Sequence, residues 1–380
     1  MRASTRIVYV MSSLGRGGAE RQLYLLLRHL DRREFAPTVV SLSEGGAWAG
    51  PIRDLGVEVV ELPRRRHLEV RRLAALVRIL RRTQPDVVQT SGLYDNLYGF
   101  VAARLARVPV VIASRRGEDY GRAAAVAERL NRLLWRRADA IICNAERSLR
   151  ALPPRLAARH VVIPNGVELS SASARREEVR RALGVDDGMV LVGSAGRLVP
   201  SKNWALFLDV AATVRAGRGD VRFVVAGDGP LRESLAAHGA VRFLGERPDV
   251  PDLLAAMDVF LFTSDREGMS NAIIEAMAAG LPCVVTDAGA AAAVIEHGVS
   301  GYVYPRGDRA ALASRVIALA GDAPTRAAVG ARARRRIDVE CSAETMAART
   351  GALYRRLLAR VRASRGTPAH VAAPVATEGR

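Results

Sequence analysis

Short runs of β-branched and other apolar residues alternate along this chain with longer segments whose apolar residues recur at helical spacing. Such alternation predicts βαβ units, in which helices cover both faces of a parallel sheet. In the first half, strands are expected at Arg6–Ser12, Pro37–Leu42, Val57–Leu62, Asp86–Gln89, Pro109–Ala113, Ala140–Cys143 and Val161–Ile163. The clearest helices between them are Ala19–Leu30 and Leu68–Arg82, each with an apolar face.

The same alternation restarts after the segment Pro164–Val167, across a polar stretch that is typical of a linker. Further strands are expected at Val190–Ser194, Val221–Ala226, Val241–Leu244, Val259–Thr263 and Cys283–Thr286. The sequence therefore predicts an α/β fold with two domains, residues 1–167 and 168–362. A last helical stretch, Ala343–Ala363, is long enough to return to the first domain, and the small polar tail 363–380 is expected to be disordered.

The composition is that of a globular protein, since 49% of the 380 residues are hydrophobic and 25% are charged. No apolar run reaches the ~18 residues that span a bilayer. The first apolar run leads into a glycine loop rather than a signal-peptide cleavage site. The three cysteines have neither metal-ligand nor disulfide-framework spacing. We therefore expect a cytoplasmic protein.

The net charge of +18 favours an anionic partner, although compositional drift toward arginine is an alternative explanation. The segment Arg64–Arg82 holds eight arginines and one acidic residue, and its apolar residues face inward. Such a basic helix could rest on anionic lipid headgroups at the inner face of a membrane, or it could be an ordinary solvated helix. The segment contains no aromatic residue to stack on bases, which argues against nucleic acid as the partner.

A glycine loop, Leu14–Glu20, follows the first predicted strand and contains Gly17 and Gly18. A glycine turn that opens a helix presents backbone N–H groups and the positive helix end to an anion. Glu20 occupies the position of the third glycine in the dinucleotide-binding pattern, which weakens a nicotinamide interpretation. The alternative is a tight turn that only packs the helix on the strand.

Two cations follow the first strand of the second predicted domain, in the segment Gly196–Asn203. Arg197 and Lys202 suit a diphosphate, because a guanidinium binds two oxygens at once and an ammonium acts as a point charge. Only one of the 57 basic residues is a lysine, namely Lys202, which argues against an interchangeable surface cation. The alternative is a pair of solvated cations.

The most informative segment is Asp265–Pro282, which follows the strand Val259–Thr263. Ser270 is a suitable N-cap for a short helix, Ala272–Ala279, that Gly280 would end. Glu267 lies on the loop before this helix and Glu275 about one turn into it. The free N–H groups near Met269–Asn271 could receive phosphates, and the carboxylates could accept hydrogen bonds from hydroxyls. Alternatively both glutamates are solvated, although Glu275 among apolar neighbours needs a partner.

Together these segments resemble the GT-B retaining glycosyltransferases, specifically glycosyltransferase family 4, or glycosyl transferases group 1. The resemblance covers most of the chain. It rests on Gly17–Glu20, Val162–Val167, Gly196-Arg197…Lys202, Ala226–Pro230 and the Glu-x₇-Glu signature from Glu267 to Glu275. It implies two Rossmann-like, doubly wound domains that face each other across a cleft.

The resemblance also implies roles for individual residues. Arg197 and Lys202 would bind the donor diphosphate, Glu267 the donor sugar and Glu275 the ribose. The N–H groups of Gly268, Met269, Ser270 and Asn271 would touch phosphate, and Gly17 and Gly18 would close on the donor from the other domain. The implied enzyme is a metal-independent hexosyltransferase without a cofactor, whose substrate is a UDP- or GDP-linked sugar.

The sequence departs from many relatives where they carry histidines. The loops after the fourth and fifth predicted strands contain none of the six histidines, and the second of them begins Ser114-Arg115-Arg116. We therefore expect Arg115 or Arg116 to meet the acceptor, which we take to be a glycan or a lipid-linked sugar of polysaccharide or cell-envelope biosynthesis. An epimerase acting on nucleotide sugars and a non-catalytic, anion-binding relative are the alternatives.

Overall fold

The computed structural model describes residues 4–63, 69–115, 125–146, 157–169, 175–289 and 291–366. Within these ranges the strands are β1 Thr5–Met11, β2 Phe35–Ser41, β3 Glu58–Glu61, β4 Val87–Thr90, β5 Val110–Arg115, β6 Ala140–Cys143, β7 His160–Val162, β8 Val190–Ala195, β9 Val221–Ala226, β10 Arg242–Phe243, β11 Val259–Phe262, β12 Cys283–Thr286 and β13 Tyr302–Tyr304. The helices are α1 Gly18–His29, α2 Ala49–Asp54, α3 Val70–Thr83, α4 Leu93–Leu105, α5 Ala125–Trp135, α6 Arg176–Ala182, α7 Trp204–Gly217, α8 Arg232–Ala236, α9 Val250–Ala256, α10 Asn271–Ala278, α11 Ala291–Val294, α12 Arg309–Gly321, α13 Ala323–Cys341 and α14 Ala343–Gly366.

Two parallel sheets organise the chain. The seven strands of the first sheet have the order β3-β2-β1-β4-β5-β6-β7, and the six strands of the second have the order β10-β9-β8-β11-β12-β13. The order reverses between β1 and β4 in one sheet and between β8 and β11 in the other. At such a switch point a parallel sheet opens a crevice beyond the carboxyl ends of its strands. The prediction of two Rossmann-like sheets in an α/β fold is confirmed.

Both faces of each sheet are covered, which explains why the central strands are almost continuously apolar. In the first sheet Ile7 and Tyr9 pack on the side of α1 and α14, whereas Val8 and Val10 pack on the side of α3 and α4. All four side chains are at most 1% exposed. Strand ends agree with the predicted ones to within two residues, and the strand β13 was not predicted.

The last helix, α14, packs on the first domain although the second domain precedes it. Its Tyr354 is buried, donates a hydrogen bond of 2.6 Å to Oε1 of Gln89 and lies 3.0 Å from the hydroxyl of Tyr9. The chain crosses between the sheets twice, and the two crossings are joined by backbone hydrogen bonds between Val167 and the segment Cys341–Ala343. The helix continues to Gly366, and residues 367–380 lie outside the described ranges.

The basic segment Arg64–Arg82 is described only from residue 69 onward. Within α3, Arg72 is 8% exposed, donates a hydrogen bond of 3.0 Å to the carbonyl of Leu42 and lies 4.5 Å from the ring centre of Tyr98. Arg72 therefore packs inward and is not part of an outward basic face of this helix. Among the helices of the described ranges, none combines the length and the apolar character needed to cross a membrane.

Candidate active site

The switch points of the two sheets face each other, and the predicted donor-site residues lie there. Gly17 and Gly18 follow β1, Arg197 and Lys202 follow β8, and the loop before α10 follows β11. The two sides touch, because the carbonyl of Gly18 accepts a hydrogen bond of 3.3 Å from Nδ2 of Asn271. A Cβ atom on Gly18 would lie 2.9 Å from the same nitrogen, so the absence of a side chain permits this close approach.

The loop that carries Arg197 is shaped by the glycines of a neighbouring loop. The N–H groups of Gly196 and Leu198 donate to the carbonyls of Ala226 and Asp228, each over 2.9 Å. Gly227 has φ +143°, and a Cβ atom there would lie 1.9 Å from the carbonyl oxygen of Gly196. Only glycine fits this contact. The segment Ala226–Pro230 thus fixes the loop from behind and leaves Arg197 exposed at its tip.

Lys202 lies in a short 3₁₀ turn, Pro200–Lys202, immediately before α7. Its ammonium group forms an ion pair with the Oε1 atom of Glu267 and lies 5.0 Å from the ring centre of Phe262. The Lys202 side chain is 19% exposed and that of Glu267 is 13% exposed. An ammonium group has three N–H donors, so the ion pair leaves others for an anion in the cleft.

Glu267 is held on its other side as well. The buried hydroxyl of Ser264 donates a hydrogen bond of 2.9 Å to the same carboxylate oxygen. Arg197 differs from Lys202, because its guanidinium has no hydrogen-bond or ion-pair partner within the part of the chain that the structure describes. Its backbone carbonyl accepts hydrogen bonds from Nε1 of Trp204 at 3.0 Å and from the N–H of Val199 at 2.9 Å. Of the predicted pair, Lys202 is therefore held by an ion pair, whereas within the described residues no side chain or backbone group holds the guanidinium of Arg197.

The loop Gly268–Asn271 leads into α10, and Ser270 is the N-cap, as predicted. The Ser270 side chain, however, makes no capping hydrogen bond. Within the described ranges, no acceptor is found for the N–H groups of the four residues from Gly268 to Asn271. Unsatisfied N–H groups at a helix start form an anion site. Gly280, with φ +80°, follows the helix as expected.

Glu275 is paired with a residue that the sequence analysis did not single out. Nη1 of Arg21, in the first turns of α1, donates a hydrogen bond of 2.5 Å to Oε1 of Glu275. The Glu275 side chain is 12% exposed, and burial raises the pKa of its carboxyl group while Arg21 opposes that rise. Both glutamates of the Glu-x₇-Glu signature therefore form ion pairs, one within the second domain and one between the domains.

A second group of polar residues joins the two domains beside this pair, and of these the sequence analysis did not single out Gln22. Gln22 is 1% exposed and bonds both the N–H and the carbonyl of Gly166, over 2.7 and 2.8 Å. The amide of Asn165 donates to Oδ1 of Asn271 over 2.8 Å and to the carbonyl of Met269 over 3.2 Å. The side chain of Asn271 is thus bonded both to α1 and to the crossing segment.

The acceptor side was predicted at Arg115 or Arg116. Arg115 ends β5 at the carboxyl edge of the first sheet and is 8% exposed, whereas Arg116 lies outside the described residues. Gln89, in a strand whose following loop often carries histidines in relatives, is buried and tied to Tyr354. It serves the packing of α14 rather than the cleft.

Asp95, in the first turn of α4, is a further carboxylate at this edge of the first sheet. It is 2% exposed, and its Oδ1 has no hydrogen-bond partner within the described residues. Burial raises its pKa from 3.8 to about 6, against the lowering effect of hydrogen bonds from Ser12, and the nearby charge of Glu20 adds to the rise. Ionisation of Asp95 therefore destabilises the folded protein.

We predict that the free energy of unfolding of Asp95→Asn rises progressively relative to that of wild type as the pH rises. Because the carboxyl pKa is higher in the folded protein than in the unfolded chain, ionisation destabilises the fold. The penalty is small at about pH 4 and nearly complete above about pH 6, where it amounts to about 2–3 kcal/mol. Urea unfolding at about pH 4 and about pH 8 measures the difference.

The control for this experiment is Asp187→Asn, a substitution at an exposed loop carboxylate. Its stability relative to wild type is expected to stay nearly constant over the same pH range. If the stability of Asp95→Asn relative to wild type also stayed constant with pH, the assignment of a raised pKa to Asp95 would be wrong.

Within the described ranges, no group of three or more His, Cys, Asp or Glu side chains is placed to bind a metal ion. The polar groups of the cleft are instead two cations, a set of free N–H groups and two carboxylates. The cations and the N–H groups attract a diphosphate, and the carboxylates accept hydrogen bonds from hydroxyls. This arrangement suits a nucleotide sugar.

Comparison with known proteins agrees with this chemistry. Residues 16–171 match the family model Glycosyltransferase Family 4, and residues 189–322 match the model Glycosyl transferases group 1. The chain is 30% identical over 311 residues to a GDP-mannose-dependent alpha-mannosyltransferase of Mycobacterium tuberculosis, covering 77% of this chain and 81% of the relative. It is 28% identical over 267 residues to an Escherichia coli UDP-Gal:alpha-D-GlcNAc-diphosphoundecaprenol alpha-1,3-galactosyltransferase, covering 63% of this chain and 67% of the relative.

Among solved structures, Anabaena HepE in complex with UDP and glucose superposes with a TM-score of 0.81. The alignment covers 92% of this chain and 99% of HepE, at 23% sequence identity. A sugar-nucleotide epimerase is not favoured by any of these matches. The chain therefore belongs to glycosyltransferase family 4, the glycosyl transferases group 1, and has the GT-B fold of that family.

Proposed function

We propose that this protein is a retaining, metal-independent hexosyltransferase that moves a sugar from a UDP- or GDP-linked donor to a glycan or lipid-linked acceptor. The observation that carries the proposal is the convergence of Arg197, Lys202 and the free N–H groups before α10 on one cleft, opposite the glycine loop of α1. Polysaccharide or cell-envelope biosynthesis is the setting that the relatives favour, since one is named for a diphosphoundecaprenol-linked acceptor.

The donor would lie with its diphosphate between the two cations and the start of α10. In the transition state positive charge develops on the sugar and negative charge on the departing diphosphate. Groups that are already oriented toward that charge stabilise the transition state more than the ground state. Lys202 suits this role because Glu267 and Phe262 hold its position, so little reorganisation is needed.

The reaction would proceed on one face of the sugar. The bond between the anomeric carbon and the phosphate oxygen breaks, and a bond from that carbon to the acceptor oxygen forms. The departing phosphate oxygen takes the acceptor proton, so the anomeric configuration is retained. Glu267 and Glu275 are not the acid and base pair of a hydrolase, because each is held by a cation and one is assigned to the ribose.

The acceptor would approach from the first domain, near Arg115 and Arg116. A lipid-linked acceptor fits a protein that rests on an anionic membrane surface from the cytoplasmic side. The arginines of the Arg64–Arg82 segment other than Arg72 are the groups we assign to such a surface. Charge-dependent attraction of this kind weakens with added salt, so vesicle binding at low and high salt distinguishes it from apolar insertion.

The test is a transfer assay with UDP-glucose, UDP-galactose and GDP-mannose in the presence of a chelator, with water as the default acceptor. We expect one donor to be consumed, with the first released sugar in the configuration that it had in the donor. Proton NMR during the first turnovers reads that configuration. A first product of inverted configuration would contradict the retaining mechanism, and activity that requires a divalent cation would contradict metal independence.

A further inference from the structure

The contact between Arg21 and Glu275 joins the two domains at the predicted donor site. Arg21 lies in the first turns of α1, and Glu275 lies in the middle of α10. The distance from Nη1 to Oε1 is 2.5 Å, and the two side chains are 33% and 12% exposed. An ion pair shielded to this degree orders both side chains more firmly than an exposed one does.

The neighbouring contacts place the same part of α1 against the same part of α10. Asn271, at the start of α10, donates to the carbonyl of Gly18 and accepts from the amide of Gln22, each over 3.3 Å. Gly18, Arg21 and Gln22 follow one another within one turn and a half of α1. The pair is therefore part of a continuous interdomain contact, not an isolated surface ion pair.

Arg21 occupies only one oxygen of the carboxylate. Within the described residues, Oε2 of Glu275 accepts no hydrogen bond. A carboxylate oxygen has lone pairs for more than one donor, so Oε2 is open to a hydroxyl group. Burial disfavours the ionised form of Glu275, and Arg21 counteracts that effect.

We propose that Arg21 is a positioning residue for the donor: it holds the Glu275 carboxylate so that Oε2 faces the ribose hydroxyls. The inference rests on the proposed function, because it takes the ribose as the group that Glu275 binds. It adds that ribose recognition is built from both domains. The second domain supplies the carboxylate, and the first domain supplies the cation that orients it.

The test compares UDP and GDP with their 2′,3′-dideoxy analogues, which lack both ribose hydroxyls. Calorimetry gives the affinity ratio between each nucleotide and its analogue for wild type, Arg21→Met and Arg21→Lys. For wild type we expect the complete nucleotide to bind about tenfold or more tightly than its analogue. For Arg21→Met the ratio should fall to about threefold or less. Arg21→Lys, which keeps the charge, should recover part of the ratio.

Arg28→Met is the matched control. Arg28 lies on the same helix and forms a more exposed ion pair with Glu168, at 2.9 Å. The affinity ratio between nucleotide and analogue for Arg28→Met should equal that of wild type. A general structural role for Arg21 would weaken the nucleotide and its analogue alike and leave the ratio unchanged, which would overturn this inference alone. Failure of wild type to bind either nucleotide would overturn the proposed function and this inference with it.

Discussion

Lys202→Ala is expected to lower the rate of sugar transfer by about 10²–10³-fold, which is the loss seen when one fixed donor to a developing anion is removed. Lys202 is held by Glu267 and Phe262, so its charge is directed before the donor arrives. The substitution removes that charge and leaves Glu267 without its cation, although Ser264 still donates to the carboxylate. Consumption of the accepted donor under saturating conditions measures the effect.

Arg181→Ala is the control for the loss of one positive charge, because Arg181 is an exposed arginine of the same domain. Its rate should stay within about twofold of wild type. Thermal unfolding shows whether Lys202→Ala remains folded. A folded Lys202→Ala protein whose rate lay within a few-fold of wild type would contradict the role that we assign to Lys202.

Gly227→Ala is expected to destabilise the fold by about 2–4 kcal/mol. The new Cβ atom would lie 1.9 Å from the carbonyl oxygen of Gly196, and the φ angle of +143° is one that side chains rarely adopt. A backbone oxygen cannot rotate away as a flexible side chain can. The loop that carries Arg197 must therefore shift, so nucleotide affinity should fall together with stability. Urea unfolding and calorimetry measure the two effects.

Gly239→Ala serves as the control, because an added Cβ atom there meets nothing within 4 Å. We expect its stability to change by less than about 0.5 kcal/mol. Equal stability of Gly227→Ala and Gly239→Ala would show that the loops tolerate a side chain at Gly227. The packing of the Ala226–Pro230 segment against the Arg197 loop would then be wrong.

The parts of the fold that depend on local pattern were predictable from the sequence. Ala140–Cys143, Val221–Ala226 and Cys283–Thr286 are strands with the predicted ends. These runs are apolar because both faces of a parallel sheet are buried. The strand Tyr302–Tyr304 was not predicted, although a strand of the same length, His160–Val162, was predicted to within one residue.

The candidate site was predictable only in part. The position of the Glu-x₇-Glu signature after a strand placed Glu267 and Glu275 at the carboxyl edge of a sheet, where the structure has them. The sequence did not predict the residues with which these glutamates form ion pairs. Arg21 is far from Glu275 in sequence, and their contact depends on how the two domains face each other. No periodicity or local motif contains that information.

The directions of individual side chains also could not be predicted from the sequence. The composition of the Arg64–Arg82 segment suggested a basic amphipathic helix with its apolar residues inward, yet Arg72 also turns inward, to a carbonyl and a tyrosine ring. A long side chain can bury its stem and pair its head, so the residue type alone does not fix its direction. Ser270 illustrates the same point, because its position as N-cap was predicted but its hydroxyl does not cap.

The most direct measurement is calorimetric titration of the wild-type protein with UDP and with GDP in the presence of a chelator. We predict saturable, one-to-one binding of at least one of them without a divalent cation, weakened about tenfold or more in Lys202→Ala. If the folded wild-type protein bound neither nucleotide, the cleft between Arg197, Lys202 and the start of α10 would not be a donor site.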